Sequence, residues 1–158
     1  MSQASVLIVD DEPLVRQTLS EWMRRKNFRV FEAEDGRQAM ERIRRDEPDI
    51  VISDVVMPGM DGVQLLKEAK ADIADIPFLM ISGFPSRTTA ADLMKHGASD
   101  YLAKPFTPEE LTRRVNRTLL QKSAGSAFTT TRGMVLGALL SAFLWALVIG
   151  VVAAMATA

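Results

Sequence analysis

Between residues 5 and 121, five short runs rich in β-branched residues alternate with five longer amphipathic ones, and this alternation restricts the chain to few folds. The runs SVLIV (5–9), FRVFEA (28–33), DIVIS (49–53), IPFLMIS (76–82) and SDYLA (99–103) read as strands. Three of them are almost unbroken apolar stretches, as expected of strands covered on both faces. The intervening segments have helical periodicity. Residues 13–26 put Leu14, Val15, Leu19, Trp22 and Met23 on one face, and 36–45, 62–71, 87–96 and 108–121 repeat the pattern more weakly. Helix starts are marked by Pro13 after Glu12, by Asp35 and Asp61 before glycines, and by the capping box TPEE at 107–110.

Strands alternating with helices pair in parallel through right-handed crossovers. The expected fold is α/β, a doubly wound five-stranded parallel sheet in the flavodoxin-like order 2-1-3-4-5. In such a sheet, ligands bind beyond the carboxyl ends of the strands. Strand 1 runs into Asp10 and Asp11, strand 3 into Asp54 and strand 5 into Lys104, while strand 4 ends in Ser82. Carboxylates, a hydroxyl and an ammonium thus converge on one edge. The carboxylates repel one another unless a proton or cation relieves them. An open, all-oxygen site suits Mg²⁺. A cation and a lysine balance the charge of a phosphoryl group, a hydroxyl donates to it, and a carboxylate is a competent nucleophile.

Composition removes other chemistries. The chain has no cysteine, which excludes disulfides, thiolate catalysis and cysteine-based zinc sites. His96 is the only histidine, so no histidine cluster or His-pair relay is available. It is expected at the end of the fourth helix, in solvent or near that helix's C-terminal dipole. A formal net charge of −1 gives no electrostatic reason to bind nucleic acid. The opening MSQASVLIVDDE has no basic region before a long apolar run, so no secretory signal is read and the first domain is expected in the cytoplasm.

Four segments in order, VLIVDDEP (6–13), ISDVVMPGMDG (52–62), ISG (81–83) and DYLAKPF (100–106), make residues 4–121 resemble the CheY-like receiver domain of bacterial two-component response regulators. The resemblance implies that Asp54 accepts a phosphoryl group from a phosphohistidine on a sensor histidine kinase or phosphotransfer protein. It implies that Asp11, Asp54 and the backbone carbonyl of Val56 bind Mg²⁺ directly, with Asp10 acting through a metal-bound water. Lys104 is implied to contact Asp54 and then a phosphoryl oxygen. Ser82 is implied to move onto the phosphoryl group while Tyr101 turns inward as the switch aromatic. The Lys104–Pro105 bond is expected to be cis. The implied protein is not an enzyme with a separate substrate but a receiver that promotes its own phosphorylation and dephosphorylation. No position of the family's quintet is missing, which speaks against an inactive relative. The family's usual readout surface is helix 4, strand 5 and helix 5. Val56 and Phe84, two residues after Asp54 and Ser82, are apolar and cannot orient an attacking water. A long-lived phosphorylated state is therefore expected.

Past residue 121 the composition changes. QKSAGSAFTTTR (121–132) reads as a flexible linker or fraying helix end, which gives a receiver at 1–121, a linker at 122–132 and a tail at 133–158. No residue of the tail is charged. As a helix it would span about 39 Å, and about 20 residues suffice to cross a hydrocarbon core. A single transmembrane helix is expected, anchoring the chain in the lipid bilayer of the bacterial inner (cytoplasmic) membrane. Lys122 and Arg132 flank its N-terminal side, which places the receiver in the cytoplasm. Ala138, Ala142, Ala146, Gly150, Ala154 and Ala158 recur every four residues, beside a second row of Gly133, Gly137 and Ser141. Such rows let membrane helices approach closely, so a homodimer or a membrane-protein partner is one reading; a general abundance of small residues is the other. The basic ends of helix 1 (Arg24, Arg25, Lys26) and helix 2 (Arg44, Arg45) either complement helix dipoles in solvent or face the anionic inner leaflet, with Asp54 turned to the cytoplasm.

The expected function is that of a membrane-tethered single-domain response regulator that signals through protein contacts. No helix-turn-helix or catalytic domain follows the receiver, so a transcription factor or output enzyme is not expected. The alternative is a phosphorelay intermediate or phosphate sink that passes phosphate between histidines. An aspartate-nucleophile phosphatase would want Asp-x-Asp at the first strand and a cap domain, and DDE argues against it.

Overall fold

Five parallel strands form one sheet in the order β2-β1-β3-β4-β5, as the alternation requires. In the computed structural model the described residues are 3–73, 75–83 and 90–124. The strands are β1 (Ser5–Val9), β2 (Arg29–Ala33), β3 (Ile50–Asp54), β4 (Phe78–Ser82) and β5 (Asp100–Ala103). The helices are α1 (Pro13–Arg25), α2 (Gly36–Asp46), α3 (Gly62–Asp72), α4 (Ala90–Lys95) and α5 (108–124). Residues 87–89, expected to open α4, lie outside the described residues, and His96 sits exposed just past its end.

Alternate strand residues point to opposite faces and build two cores. Leu7, Val9, Val51, Phe78 and Met80 pack with Ala39, Ile43, Leu65, Leu66 and Leu93 of α2, α3 and α4. Val6, Ile8, Ile50, Ile52, Leu79 and Ile81 pack with Leu19, Met23, Leu111 and Val115 of α1 and α5. Of the methionines near the site, Met57 and Met80 are buried and Met60 packs against the first core, so these thioethers fill space.

The caps behave as their residue types dictate. Asp35 accepts from the Gln38 N–H at 2.8 Å and Asp61 from the Gln64 N–H at 2.8 Å. Thr107 accepts from the Glu110 N–H at 3.1 Å. Glu12 makes no side-chain cap, and Pro13 opens α1 without needing a donor of its own.

The arginines of the basic helix ends have carboxylate neighbours. Arg24 pairs with Glu32 at 2.7 Å, Arg25 with Glu21 at 3.9 Å, Arg44 with Asp72 at 2.6 Å and Arg45 with Asp46 at 3.1 Å. Carboxylates carried by β2, α1, α3 and α2 thus stand against these four arginines, while Lys26 forms no ion pair among the described residues. The expected transmembrane helix at 133–158 and the linker from 125 onward lie outside the described residues. Among the described residues no helix is long and apolar enough to cross a membrane. Residues 122–124 continue α5, past the expected domain boundary at 121.

Candidate functional site

β1 and β3 are sheet neighbours with Val9 level with Ser53, so the residues that follow them meet at one edge. Asp10 is buried, Asp54 half-buried and Asp11 exposed. Each places a carboxylate oxygen within 4.8 Å of the others. On the other side of β3, Ser82 ends β4 level with Ala103 of β5. The Lys104 N–H donates to the Ser82 carbonyl at 2.9 Å. The Lys104 ammonium stands 3.5 Å from Asp10 and 3.6 Å from Asp54. The Lys104–Pro105 peptide is cis, as expected. Asp10, Asp11, Asp54 and Lys104 are therefore one cluster, with buried Ser82 on the adjoining strand end. Val56 lies in the loop after β3 with its side chain exposed, while Phe84 is outside the described residues.

Backbone donors hold the carboxylates. The Glu12 N–H donates to Asp10 at 2.9 Å and the Val55 N–H to Asp54 at 3.0 Å. Burial raises the Asp54 carboxyl above its ordinary range; the Lys104 ammonium offsets part of this, and the Asp10 charge adds to it. A cluster that penalises its own charge in this way is relieved by a bound cation. Three carboxylates open to solvent at Asp11 form a hard oxygen donor set with room for retained waters, which fits Mg²⁺.

Two positioning contacts carried no sequence signal of their own. The Arg16 guanidinium donates to the Asp10 carbonyl at 2.7 Å, clamping the end of β1 from the first turns of α1. Gly62 lets α3 start directly against β3, and its N–H donates to the Val55 carbonyl at 2.9 Å. A Cβ at Gly62 would collide with the Asp54 carbonyl oxygen. Its place after Asp61 suggested only a helix start; the close approach depends on how α3 returns to the sheet.

Tyr101 is half-buried in β5 against the core of α2, α3 and α4. Its hydroxyl is buried and, among the described residues, has no hydrogen-bond partner. An apolar groove of about 350 Å³ runs between α1 and the Lys104–Phe106 segment that joins β5 to α5. Leu14 at its edge is 73% exposed, and Trp22 meets Phe106 edge-on at 6.3 Å.

The family profile described as response regulator receiver domain matches residues 6–116. The chain is similar to the chemotaxis protein CheY of Bacillus subtilis, 36% identical over 115 residues covering 72% of this chain and 96% of that protein. It is similar to the C4-dicarboxylate transport transcriptional regulatory protein DctD of Pseudomonas aeruginosa, 36% identical over 118 residues covering 75% of this chain and 26% of that one. Response regulator MprA of Mycolicibacterium vanbaalenii is 36% identical over 118 residues, 75% of this chain and 51% of that one. The chain thus spans about half or less of the latter two relatives. Among solved structures, Vibrio cholerae chemotaxis protein CheY4 superposes with a TM-score of 0.70 at 33% identity, covering 74% of this chain and 99% of that one.

Proposed function

The chain belongs to the response regulator receiver domain family, and from that premise we propose that it is a membrane-tethered receiver phosphorylated on Asp54. Receiver domains accept a phosphoryl group on an aspartate, bind Mg²⁺ at an acidic pocket and interact with histidine kinases or phosphotransfer proteins. The observation that supports Asp54 is that its half-buried carboxylate, at the end of β3, stands 3.6 Å from the Lys104 ammonium and within 4.8 Å of Asp10 and Asp11, while Asp10, equally near Lys104, is buried. A carboxylate oxygen of Asp54 attacks the phosphorus of a phosphohistidine, the P–N bond breaks, and the imidazole leaves with its electron pair. Lys104 draws its ammonium from the two carboxylates onto a phosphoryl oxygen, and the Ser82 hydroxyl donates to another. Asp11, Asp54 and the Val56 carbonyl would hold Mg²⁺, with Asp10 acting through water; the cation supplies charge balance for the phosphoryl oxygens.

Tyr101 is the switch aromatic in this reading. A buried hydroxyl without a partner is unfavourable by about 1–3 kcal/mol, which favours any second position that satisfies it. The protein is a switch that signals through protein contacts, with no separate substrate. The apolar groove beside Pro105 adjoins the site a phosphohistidine must reach, and a kinase or phosphotransfer partner covers it.

Tethering rests on the uncharged stretch 133–158 after Arg132, and places the chain in the bacterial inner membrane with its receiver in the cytoplasm. Incubation with a phosphohistidine donor and Mg²⁺ tests the chemistry: wild type takes up a base-labile phosphoryl group that hydroxylamine cleaves, and Asp54→Asn does not. Flotation with vesicles after removal of peripheral protein by high salt and carbonate tests the tether. A full chain that stays in the aqueous fraction refutes it. Onward transfer from Asp54 to a second histidine protein would make the chain a relay intermediate.

A further inference from the structure

On the outer face of α5, Lys26, Glu109, Arg113, Asn116, Arg117 and Leu120 surround an open cleft of about 500 Å³. The spacing of 109, 113, 116, 117 and 120 puts these α5 residues on one helical stripe, and Lys26 reaches it from the C-cap of α1. Among the described residues, Lys26, Arg113 and Arg117 form no ion pair, and Glu109 is the one carboxylate on the cleft. This sets the cleft apart from Arg24, Arg25, Arg44 and Arg45, whose charges are matched by acidic neighbours. Toward the end of the helix the same stripe carries Leu120, 69% exposed. Cations beside an exposed leucine suit an anionic lipid surface, with phosphates held by the cations and the leucine toward the acyl boundary.

α5 is the described element nearest in sequence to the uncharged stretch. From Arg113 to the last described turn of α5 is about 17 Å along the axis. Eight residues, 125–132, then separate α5 from the uncharged stretch, and they reach about 28 Å at full extension. We infer that the Lys26–Arg113–Arg117 cleft holds the phosphate of an anionic lipid headgroup and lays α5 along the inner leaflet. This rests on the tethering reading. It moves the lipid-facing surface from the ends of α1 and α2 to α5, the helix that leads into the tail.

The absence of cysteine makes a single label straightforward. A nitroxide on Gln121→Cys of the full chain, one turn beyond Arg117, is placed in nanodiscs of phosphatidylcholine alone or with a third phosphatidylglycerol. Its accessibility to lipid-soluble and aqueous relaxing agents gives the docked fraction. Docking is expected in anionic discs and release in neutral ones. Arg113→Gln with Arg117→Gln should lower the docked-to-undocked ratio about 30-fold in anionic discs. Arg24→Gln with Arg25→Gln, whose charges are already paired, should leave it unchanged. A label that stays aqueous in anionic discs that retain the chain overturns the inference and leaves the tether standing. A chain that never enters neutral discs removes the tether itself. Inorganic phosphate that binds the cleft without weakening docking in anionic discs at fixed ionic strength assigns the cleft to a soluble phosphate and also overturns the inference.

Discussion

At the scale of single residues, Asp54 connects the site's charge to the fold's stability. Its carboxyl is raised above the ordinary range by burial, so the folded state binds that proton more tightly than the unfolded state. Stability contributed by the protonated form is present below the ordinary carboxylate pKa and is lost as pH rises through the folded value. In EDTA, Asp54→Asn should therefore melt above wild type at pH 7, and the difference should close as pH falls below the ordinary carboxylate range. A lower melting point for the variant at pH 7 would contradict this. Mg²⁺ reverses the balance: at a hundredfold excess over its Kd it should stabilise wild type by about 2.7 kcal/mol, and the gain should vanish in Asp11→Asn. Gly62→Ala drives a methyl group into the Asp54 carbonyl and is expected to cost about 1–3 kcal/mol in urea unfolding while slowing phosphoryl uptake.

At the scale of elements, the active edge is held by helix starts and strand ends. Asp61 caps α3 beside Gly62, so Asp61→Ala should cost about 1 kcal/mol of stability by freeing the Gln64 N–H. Leu111 is fully buried where α5 meets the sheet. Leu111→Ala should cost about 2–5 kcal/mol, and calorimetry on the full chain checks it. The strands and helices were legible because buried parallel strands are continuous apolar runs and capping residues are short and polar. Illegible were contacts such as Arg16 on the Asp10 carbonyl, since they depend on the angle at which α1 leaves β1. The pairing of Arg44 with Asp72 was equally hidden, because 28 positions separate the two.

For the whole molecule, the proposed tether would join the receiver to the uncharged stretch at 133–158. Phosphorylation adds charge at one edge of the sheet, while α5 ends at the other and leads toward the tail. Gly150→Leu should weaken any self-association of the tail in a membrane-association assay; equal signal for both chains would mean that the small-residue rows carry no packing role. The apolar flanks Val56 and Phe84 predict a phosphorylated state that outlasts seconds in purified protein with Mg²⁺. Radiolabel decay measures this directly.

The sequence by itself determined the strand count and order, the caps and the identity of the acidic and basic residues at the strand ends. These follow from local periodicity and from the rule that parallel sheets place their loops at the carboxyl edge. The cis bond before Pro105 was expected only from the family resemblance. Only the tertiary structure decided how far the three carboxylates lie from Lys104, why position 62 must lack a side chain, and which cations keep unmatched charge. Those outcomes depend on distances between residues far apart in the chain, which packing sets and local pattern does not encode.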